Sequence, residues 1–476
     1  MIFTSYTYLV FVLGAFLVHW SLPASRRNVL LLLASYAFYC SWAWQYGFLL
    51  LGASLFNWAW GRFVLPDAKS SKPLVVGILV NLVPLGYFKY TGFIVDNGSA
   101  VANLLGVNWH PALPEILLPL GISFFTFAGI AYLVDVAAGE PPFARLSEFL
   151  LFNGFWPKLI AGPIVRADEI REPILGARTL DVADLSAGSW RILSGFFKKV
   201  VLADTLAPIA DLAYLRGSSP NAMDGVFGTL AFGLQIYFDF SGYSDIAIGT
   251  ARLFGFRFPE NFDWPYLARS PQEFWNRWHK TLSRWIRDYV FTPLTFAARR
   301  SPRSGPLWLV VAMAACGLWH GAQWTFVLWG IWHGLLLVLN QTLLARFFQA
   351  PPAGAPPARI RVWTAAVVTF AAVSAGWILF RAQSASQAWD VLSGILTLRG
   401  GLRPGVLREN AILVVAVIFL GLVVGQFLRG SLGKWKERSP RIGSVARVLE
   451  PAFYVLLILA VFVFDKEASA FVYFQF

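Results

Sequence analysis

His320 lies in an apolar, tryptophan-rich stretch, residues 317–334, of a chain that has only five histidines among its 476 residues. An ionisable imidazole among groups that cannot solvate it is rare in a membrane interior, and such a residue usually marks a functional site. Histidine exchanges its proton close to neutral pH, so the chemistry that it suggests is proton transfer. The alternative is a packed histidine that donates to a neighbouring carbonyl, and its position alone leaves both open.

A second histidine, His279, lies in the strongly polar stretch 266–303. Four apolar residues recur there at helical spacing and predict one continuous amphipathic helix: Trp275, Trp278, Leu282 and Trp285. The opposite face of this predicted helix carries four cations: Arg277, Lys280, Arg284 and Arg287. The flank between the two faces carries three polar residues: Asn276, His279 and Ser283. Such a helix can bind anionic lipid headgroups or an anionic substrate, and the place of His279 beside the tryptophans favours the substrate site.

Several polar residues also interrupt the apolar stretch 226–250: Gln235, Asp239, Ser241, Ser244 and Asp245. So many polar groups are expected to face the protein interior or a water-filled cavity, not lipid. The structural alternative, which we favour for most of them, is that hydroxyls bond back to their own helix and an aspartate caps a helix broken at Gly242. We nevertheless include Asp239 among the candidate substrate contacts, together with Trp319 beside His320.

The composition predicts the class of protein. Apolar residues make up 57% of the chain and charged residues only 14%, whereas about a quarter of a soluble domain is charged. These fractions predict a polytopic membrane protein. The net charge of +13 does not indicate nucleic acid as a partner, because the basic residues collect between apolar runs, as the positive-inside rule predicts. Cys40 and Cys316 both lie in apolar runs, so neither a disulfide framework nor a metal site is predicted.

Apolar runs of near-spanning length predict an all-α chain with a dozen membrane spans in one integral-membrane domain, residues 1–476. They lie near 2–20, 28–46, 47–64, 74–96, 116–138, 192–213, 226–250, 306–320, 323–345, 362–380, 410–428 and 449–464. The distribution of basic residues places both termini outside and residues 252–303 and 429–447 in the cytoplasm. Phe149–Ile164 is also apolar, but Lys158, Gly162 and Pro163 favour a re-entrant segment.

Five ordered strings together resemble the membrane-bound O-acyltransferase family, in particular its bacterial branch that contains the membrane subunit of alginate O-acetylation. They are FNGFWPKLIAGPIVR (152–166), IYFDFSGYSDIAIG (236–249), FWNRWHKTLSRWIRDYV (274–290), GLWHGAQWTFVLWGIWHG (317–334) and FVYFQF (471–476). The resemblance implies about 11–13 transmembrane helices, with re-entrant and amphipathic helices, around a central funnel. It also implies that His320 is catalytic and that His279 lines the same tunnel.

The family resemblance further implies a reaction and its partners. An acyl group moves from a cytoplasmic thioester, usually acetyl-CoA, to a hydroxyl of a secreted polysaccharide such as alginate or of a periplasmic acetyltransferase partner protein. No permanently bound cofactor is expected. The chain is expected to lie in the bacterial inner membrane, in contact with its lipids.

The residues support the same mechanism from their own positions. In the predicted topology His320 lies about 22 Å along a run that starts at Pro306 on the cytoplasmic side, which is past the middle of a core about 30 Å thick. An imidazole there can take the proton of a hydroxyl that arrives from outside and return it to the departing thiolate. His279, with Asn276 near it, is predicted to donate to the carbonyl oxygen. The four cations are predicted to bind the phosphates of a CoA-like donor at the cytoplasmic mouth.

Three alternatives remain at this point. A D-alanyl transferase that uses a carrier-protein thioester resembles the same motifs. A transporter of polysaccharide or lipid-linked sugar also has many spans, but it is expected to show internal repeats, and the sequence shows no convincing repeat. A scaffold without chemistry gives no reason for two buried histidines.

Overall fold

The structure is a computed structural model that describes residues 3–215, 220–297, 304–342, 359–401, 403–438, 440–465 and 471. All regular structure within these ranges is helical, in agreement with the predicted all-α class. The first eleven α-helices are α1 Tyr6–Ser21, α2 Ala24–Cys40, α3 Gln45–Ala59, α4 Lys72–Leu85, α5 Thr91–Leu104, α6 Ile122–Ala137, α7 Leu146–Gly154, α8 Trp156–Leu159, α9 Ala167–Leu175, α10 Val182–Phe196 and α11 Asp204–Ala213. The others are α12 Ala222–Leu253, α13 Pro271–Arg277, α14 Lys280–Ile286, α15 Thr292–Ala297, α16 Gly305–His320, α17 Trp324–Thr342, α18 Arg359–Arg381, α19 Ala385–Leu396, α20 Glu409–Arg438 and α21 Pro440–Phe464.

Three helical segments within the described residues are long and apolar enough to cross a bilayer: Lys72–Leu104, Ile360–Arg381 and Glu409–Gln426. Four shorter apolar helices lie at Tyr6–Ser21, Ile122–Ala137, Gly305–His320 and Pro451–Phe464. All seven fall on predicted spans. The larger number of spans and the central funnel stay predictions. Of the closing string FVYFQF, only Phe471 belongs to the described residues, where its ring lies 5.6 Å from that of Phe240.

The centre of the structure is α12, which is buried along almost its whole length. The prediction that it breaks at Gly242 is wrong, since α12 is one continuous helix of 32 residues. Gly242 instead allows α10 to approach closely, because a Cβ there would lie 2.8 Å from the carbonyl oxygen of Gly195. One face of α12 therefore forms the wall against which the site is built.

The segment Phe149–Ile164 was predicted to be re-entrant and not a membrane span, and the structure agrees that it does not form one long helix. It is divided between α7 and α8, with Phe155 at φ −57° and ψ 112° between them. Its apolar side chains are almost wholly buried against protein, which satisfies the requirement that irregular backbone at membrane depth be covered.

The polar stretch around His279 is not one helix, so that prediction is wrong. α13 ends at Arg277, Trp278 is extended, and α14 starts at Lys280. His279 itself is left-handed, at φ 40° and ψ 53°. Non-glycine residues seldom adopt this conformation, and it is held only where the surroundings stabilise it. The predicted apolar stripe is nevertheless buried, because both short helices turn their tryptophans inward.

Candidate functional site

The helix that carries His320 is held against its neighbour by glycines. A Cβ on Gly317 of α16 would lie 2.1 Å from the carbonyl oxygen of Phe326, and one on Gly330 of α17 would lie 2.2 Å from that of Met313. The two backbones therefore touch, with no side chain between them. This contact fixes the position of the last turn of α16, which ends at His320.

The end of α16 is capped by two residues from another part of the chain. The Lys89 ammonium donates to the carbonyl of Trp319 and, at 3.1 Å, to that of His320. The Tyr90 hydroxyl donates to the carbonyl of Leu318 at 3.0 Å. The last carbonyls of a helix have no partner within the helix, and a cation there also offsets the helix dipole. Lys89 and Tyr90 thus hold the backbone that carries His320.

The His320 side chain is 4% exposed and lies among aromatic rings. Its centroid is 4.8 Å from that of Trp319, 5.1 Å from Trp329 and 5.3 Å from Phe380. His333 is also buried, 4.9 Å from Trp329 on its far side. The predicted setting of an imidazole enclosed by tryptophans is therefore present.

Asn261 fixes the orientation of His279, whose Nδ1 lies 3.0 Å from the Asn261 Oδ1. The Thr281 hydroxyl also donates to this oxygen, at 2.9 Å, and itself accepts from the Ile164 N–H. The Asn261 amide nitrogen donates to the Ser244 hydroxyl at 3.1 Å. With Oδ1 an acceptor, the network assigns the proton of a neutral His279 to Nδ1.

The other nitrogen of His279 is then a hydrogen-bond acceptor. Burial lowers the pKa of His279 to about 3, so the ring is neutral. Its Nε2 is buried without a hydrogen-bond partner among the described residues. A neutral ring with its proton on Nδ1 cannot donate from Nε2. The geometry therefore disagrees with the predicted oxyanion role of His279 and favours the role of acceptor.

One indole lies against both histidines. The Trp319 centroid is 4.8 Å from that of His320 and 6.2 Å from that of His279. His320 reaches this point from the end of α16, and His279 reaches it from the break between α13 and α14. Two residues 41 positions apart in the sequence thus meet at Trp319, as the prediction of a shared site requires.

Five of the predicted substrate contacts line one cavity of about 250 Å³ beside α16, here called the basic cavity: Asn276, Lys280, Ser283, Arg284 and Arg287. Two of its cations have acidic partners, Arg284 with Glu169 at 2.6 Å and Arg287 with Asp288 at 2.7 Å. Three cations thus border one cavity, and two of the three already have a carboxylate partner.

Arg277 does not line the basic cavity. Its guanidinium pairs with Glu273 at 2.6 Å within α13. The prediction that the four cations share one face therefore holds for three of them, and the break at His279 turns Arg277 away. This pair makes Arg277 a structural cation.

A larger cavity of about 840 Å³, here called the large cavity, also borders the start of α14. Its lining includes Asn261 and Lys280, and Lys280 also lines the basic cavity. The wall also carries an ion-pair network in which Asp245 accepts from Arg191 and Lys198, each at 2.6 Å. Neither His279 nor His320 lines either of the two cavities, so the continuous route between the membrane faces stays a prediction.

Asp239 lines neither cavity, contrary to its prediction as a substrate contact. Its carboxylate is fully buried and pairs with the Lys199 ammonium at 2.8 Å, and this ammonium also pairs with Asp204 at 2.7 Å. A structural role for Asp239 is therefore the better description, although its carboxylate pairs with a lysine and does not cap a helix. Among the described residues, no group of three or more His, Cys, Asp or Glu side chains forms a metal site.

Comparisons with known proteins add to this geometry. The profile of the membrane-bound O-acyltransferase family matches residues 144–380, which include His279, His320 and Asn261. The chain is 39% identical over 409 residues to the probable alginate O-acetylase of Azotobacter vinelandii, covering 83% of this chain and 78% of that protein. It is 34% identical over 423 residues to a peptidoglycan O-acetyltransferase of Helicobacter pylori, covering 81% and 77%. It is 32% identical over 312 residues to a teichoic acid D-alanyltransferase of Streptococcus thermophilus, covering 60% and 75%.

Proposed function

This chain belongs to the membrane-bound O-acyltransferase family and is an O-acyltransferase, and we propose that it moves an acetyl group from a cytoplasmic thioester to a hydroxyl on the outer side of the membrane. The proposal rests on one observation: the rings of the two buried histidines His320 and His279 both contact the indole of Trp319. A membrane-embedded imidazole, held by a capped helix end, has the chemistry that transfer between a thioester and a hydroxyl requires.

In the proposed reaction His320 is the base. The acceptor oxygen forms a bond to the carbonyl carbon while its proton moves to the imidazole. The carbonyl π pair moves to oxygen and then returns as the carbon–sulfur bond breaks. The imidazolium gives its proton to the thiolate, so the imidazole is regenerated and protons balance.

His279 has a different task in this proposal. Its Nε2 accepts a hydrogen bond from the bound acyl donor, and Asn261 keeps that nitrogen free of a proton. This replaces the oxyanion role expected from the sequence. Because the tautomer is set by a neighbour, the arrangement resembles the way a third residue orients an active-site histidine in other acyl-transfer enzymes.

The basic cavity is the proposed binding site for the anionic part of the donor. Lys280 and Arg287 border it, and ammonium and guanidinium groups are common ligands of phosphate. Acetyl-CoA supplies both the thioester and the phosphates, so no permanently bound cofactor is required. Lys280 also borders the large cavity, and one cation is thus available to a donor that extends along α14.

Acetyl is favoured over D-alanyl by the comparisons. The two O-acetyl-transferring relatives match 81–83% of this chain, whereas the D-alanyltransferase matches 60%. We further propose a single integral-membrane domain in the bacterial inner membrane, with many spans around a funnel. The acceptor is a polysaccharide hydroxyl or a partner protein outside the membrane.

The test is acetyl transfer by the purified protein in lipid nanodiscs, with radiolabelled acetyl-CoA and a polysaccharide or small-alcohol acceptor. We expect His320→Ala to remain folded and to lose transfer by at least 10²-fold, the lower range for removing a general base. His110→Ala, at an exposed histidine, is the matched control. Transfer at the wild-type rate by a folded His320→Ala protein would contradict the assignment.

A further inference from the structure

The indole nitrogen of Trp319 is a buried hydrogen-bond donor without a partner among the described residues. The side chain is 5% exposed, so water does not reach it freely. An unsatisfied buried donor is destabilising. Each such group in a native structure calls for an explanation, and a role in catalysis is one of them.

Neighbouring tryptophans show that an indole in this fold can be satisfied. The Trp285 Nε1 donates to the carbonyl of Phe127 at 3.1 Å, and the Trp332 Nε1 donates to that of Ala372 at 2.9 Å. Among the described residues the indole nitrogens of Trp156, Trp275, Trp308, Trp329 and Trp377 also lack a partner, and of these Trp329 lies against His320. Within the described residues, however, it makes no ring contact with His279. Trp319 is therefore the unsatisfied indole that lies against both histidines.

The Trp319 ring is held rigidly from several sides. Phe127 stacks on it with centroids 5.2 Å apart, and Trp285 in turn stacks on the Phe127 ring at 3.7 Å. Phe124 contacts its edge at 5.9 Å. Lys89 donates to its backbone carbonyl, and the ammonium lies 5.9 Å from the ring centroid. A donor fixed before the reaction needs no reorganisation when charge develops.

The proposed reaction, on which this inference rests, still lacks a donor for the carbonyl oxygen. His320 is the base, and the Nε2 of His279 is an acceptor because the ring proton is on Nδ1, which donates to the Asn261 Oδ1. Negative charge on the carbonyl oxygen of the tetrahedral intermediate therefore needs a different N–H or O–H group. The Trp319 N–H lies on the ring that contacts both imidazoles.

We propose that the Trp319 indole N–H is the hydrogen-bond donor that stabilises the oxyanion of the tetrahedral intermediate. The donor keeps its proton throughout. When the acceptor oxygen attacks, the carbonyl π pair moves to the oxygen that faces this N–H, and the acceptor's proton moves to His320. When the pair returns, the carbon–sulfur bond breaks and the thiolate takes that proton. The nearby Lys89 ammonium places positive charge beside the same region.

The test compares Trp319→Phe with Trp332→Phe by acetyl transfer in nanodiscs. Phenylalanine keeps a ring in the stack and removes the N–H. Loss of one oxyanion donor lowers kcat by about 10²-fold or more, and we expect this fall in Trp319→Phe with a much smaller change in KM for acetyl-CoA. Trp332→Phe removes an indole that bonds only to backbone, and its kcat is expected to stay within about threefold of wild type.

A second substitution separates the N–H from the shape of the ring. Benzothienylalanine, placed at 319 by amber suppression, has sulfur in place of the N–H at nearly the same size. The inference requires that it lower kcat as Trp319→Phe does. Equal kcat for wild type and the sulfur analogue would overturn it, as would a loss of kcat confined to Trp329→Phe. Neither result would touch the proposed function, which fails instead if the wild-type protein transfers no acetyl group.

Discussion

Gly317→Ala tests whether the contact between α16 and α17 sets the position of the His320 imidazole, the proposed base. The added Cβ would lie 2.1 Å from the carbonyl oxygen of Phe326, 3.0 Å from its carbon and 3.1 Å from the nitrogen of Gly330. All three atoms belong to the backbone, so no side-chain rotation relieves the clash. The two helices must separate by about 1 Å for ordinary contact.

The expected effects on stability and on rate differ in size. Overpacking costs about 1–3 kcal/mol, and the better helix propensity of alanine offsets up to about 1 kcal/mol of it. The free energy of unfolding therefore falls modestly. His320 lies three residues further along the same helix, so it moves with the backbone, and a displacement of about 1 Å costs on the order of 10²-fold in rate.

The assay is kcat for acetyl transfer, with the thermal midpoint measured on the same samples. Gly305→Ala is the matched control, because it lies on α16 and a Cβ there meets nothing within 4 Å. We expect Gly305→Ala to keep the wild-type kcat. If Gly317→Ala also keeps it, the inference that the glycine contact positions His320 is refuted.

Three further predictions concern residues that surround the histidines. Lys89→Met removes the ammonium that caps α16, and leaving those carbonyls unsatisfied costs about 1–3 kcal/mol. We expect kcat to fall while KM for acetyl-CoA stays unchanged. An unchanged thermal midpoint together with an unchanged kcat would count against the cap. Asn261→Ala removes the acceptor that sets the His279 tautomer, and it is expected to lower kcat about tenfold or more. Ser244→Ala removes the hydroxyl that accepts from the Asn261 amide nitrogen, and its effect on kcat is expected to be smaller. Equal kcat values in both variants would contradict the tautomer argument. Lys280→Glu is expected to raise KM for acetyl-CoA about tenfold, and this rise is expected to depend on ionic strength. Arg277→Glu, outside the basic cavity, is expected to keep KM within about threefold of the wild-type value. A larger rise in Arg277→Glu than in Lys280→Glu would indicate that the donor binds at α13 instead.

The sequence predicts the helical class, which the structure confirms, and it groups residues that the structure also brings together. Tryptophan-rich surroundings identified His320, and the basic stretch placed Asn276, Lys280, Ser283, Arg284 and Arg287 together. These predictions rely on periodicity over a few turns, which the helices preserve locally. The same periodicity gives a wrong prediction at His279, because a helical wheel assumes that the helix continues. The left-handed residue there depends on Asn261, which no local pattern identifies.

The remaining residues could not be predicted because their partners are distant in sequence. Lys89 is 231 positions from His320, and its role as a cap depends on how the π-helical segment Gly86–Tyr90 lies against the end of α16. Asp239 was predicted to contact substrate from its polarity at membrane depth, but polarity alone does not distinguish a ligand contact from a buried ion pair. The Lys199 ammonium beside Asp239 shows that this carboxylate belongs to a buried ion pair.

The surroundings of the two histidines fit their different proposed tasks. Burial lowers the pKa of His279 to about 3, and its Nδ1 lies 3.0 Å from the Asn261 Oδ1, so the ring is neutral and its Nε2 is left as an acceptor. His320 ends α16, where the Lys89 ammonium donates to the carbonyl oxygens of Trp319 and His320. The imidazole proposed as the base therefore stands on a backbone that is held from two directions, by Lys89 at the helix end and by the glycine contact with α17.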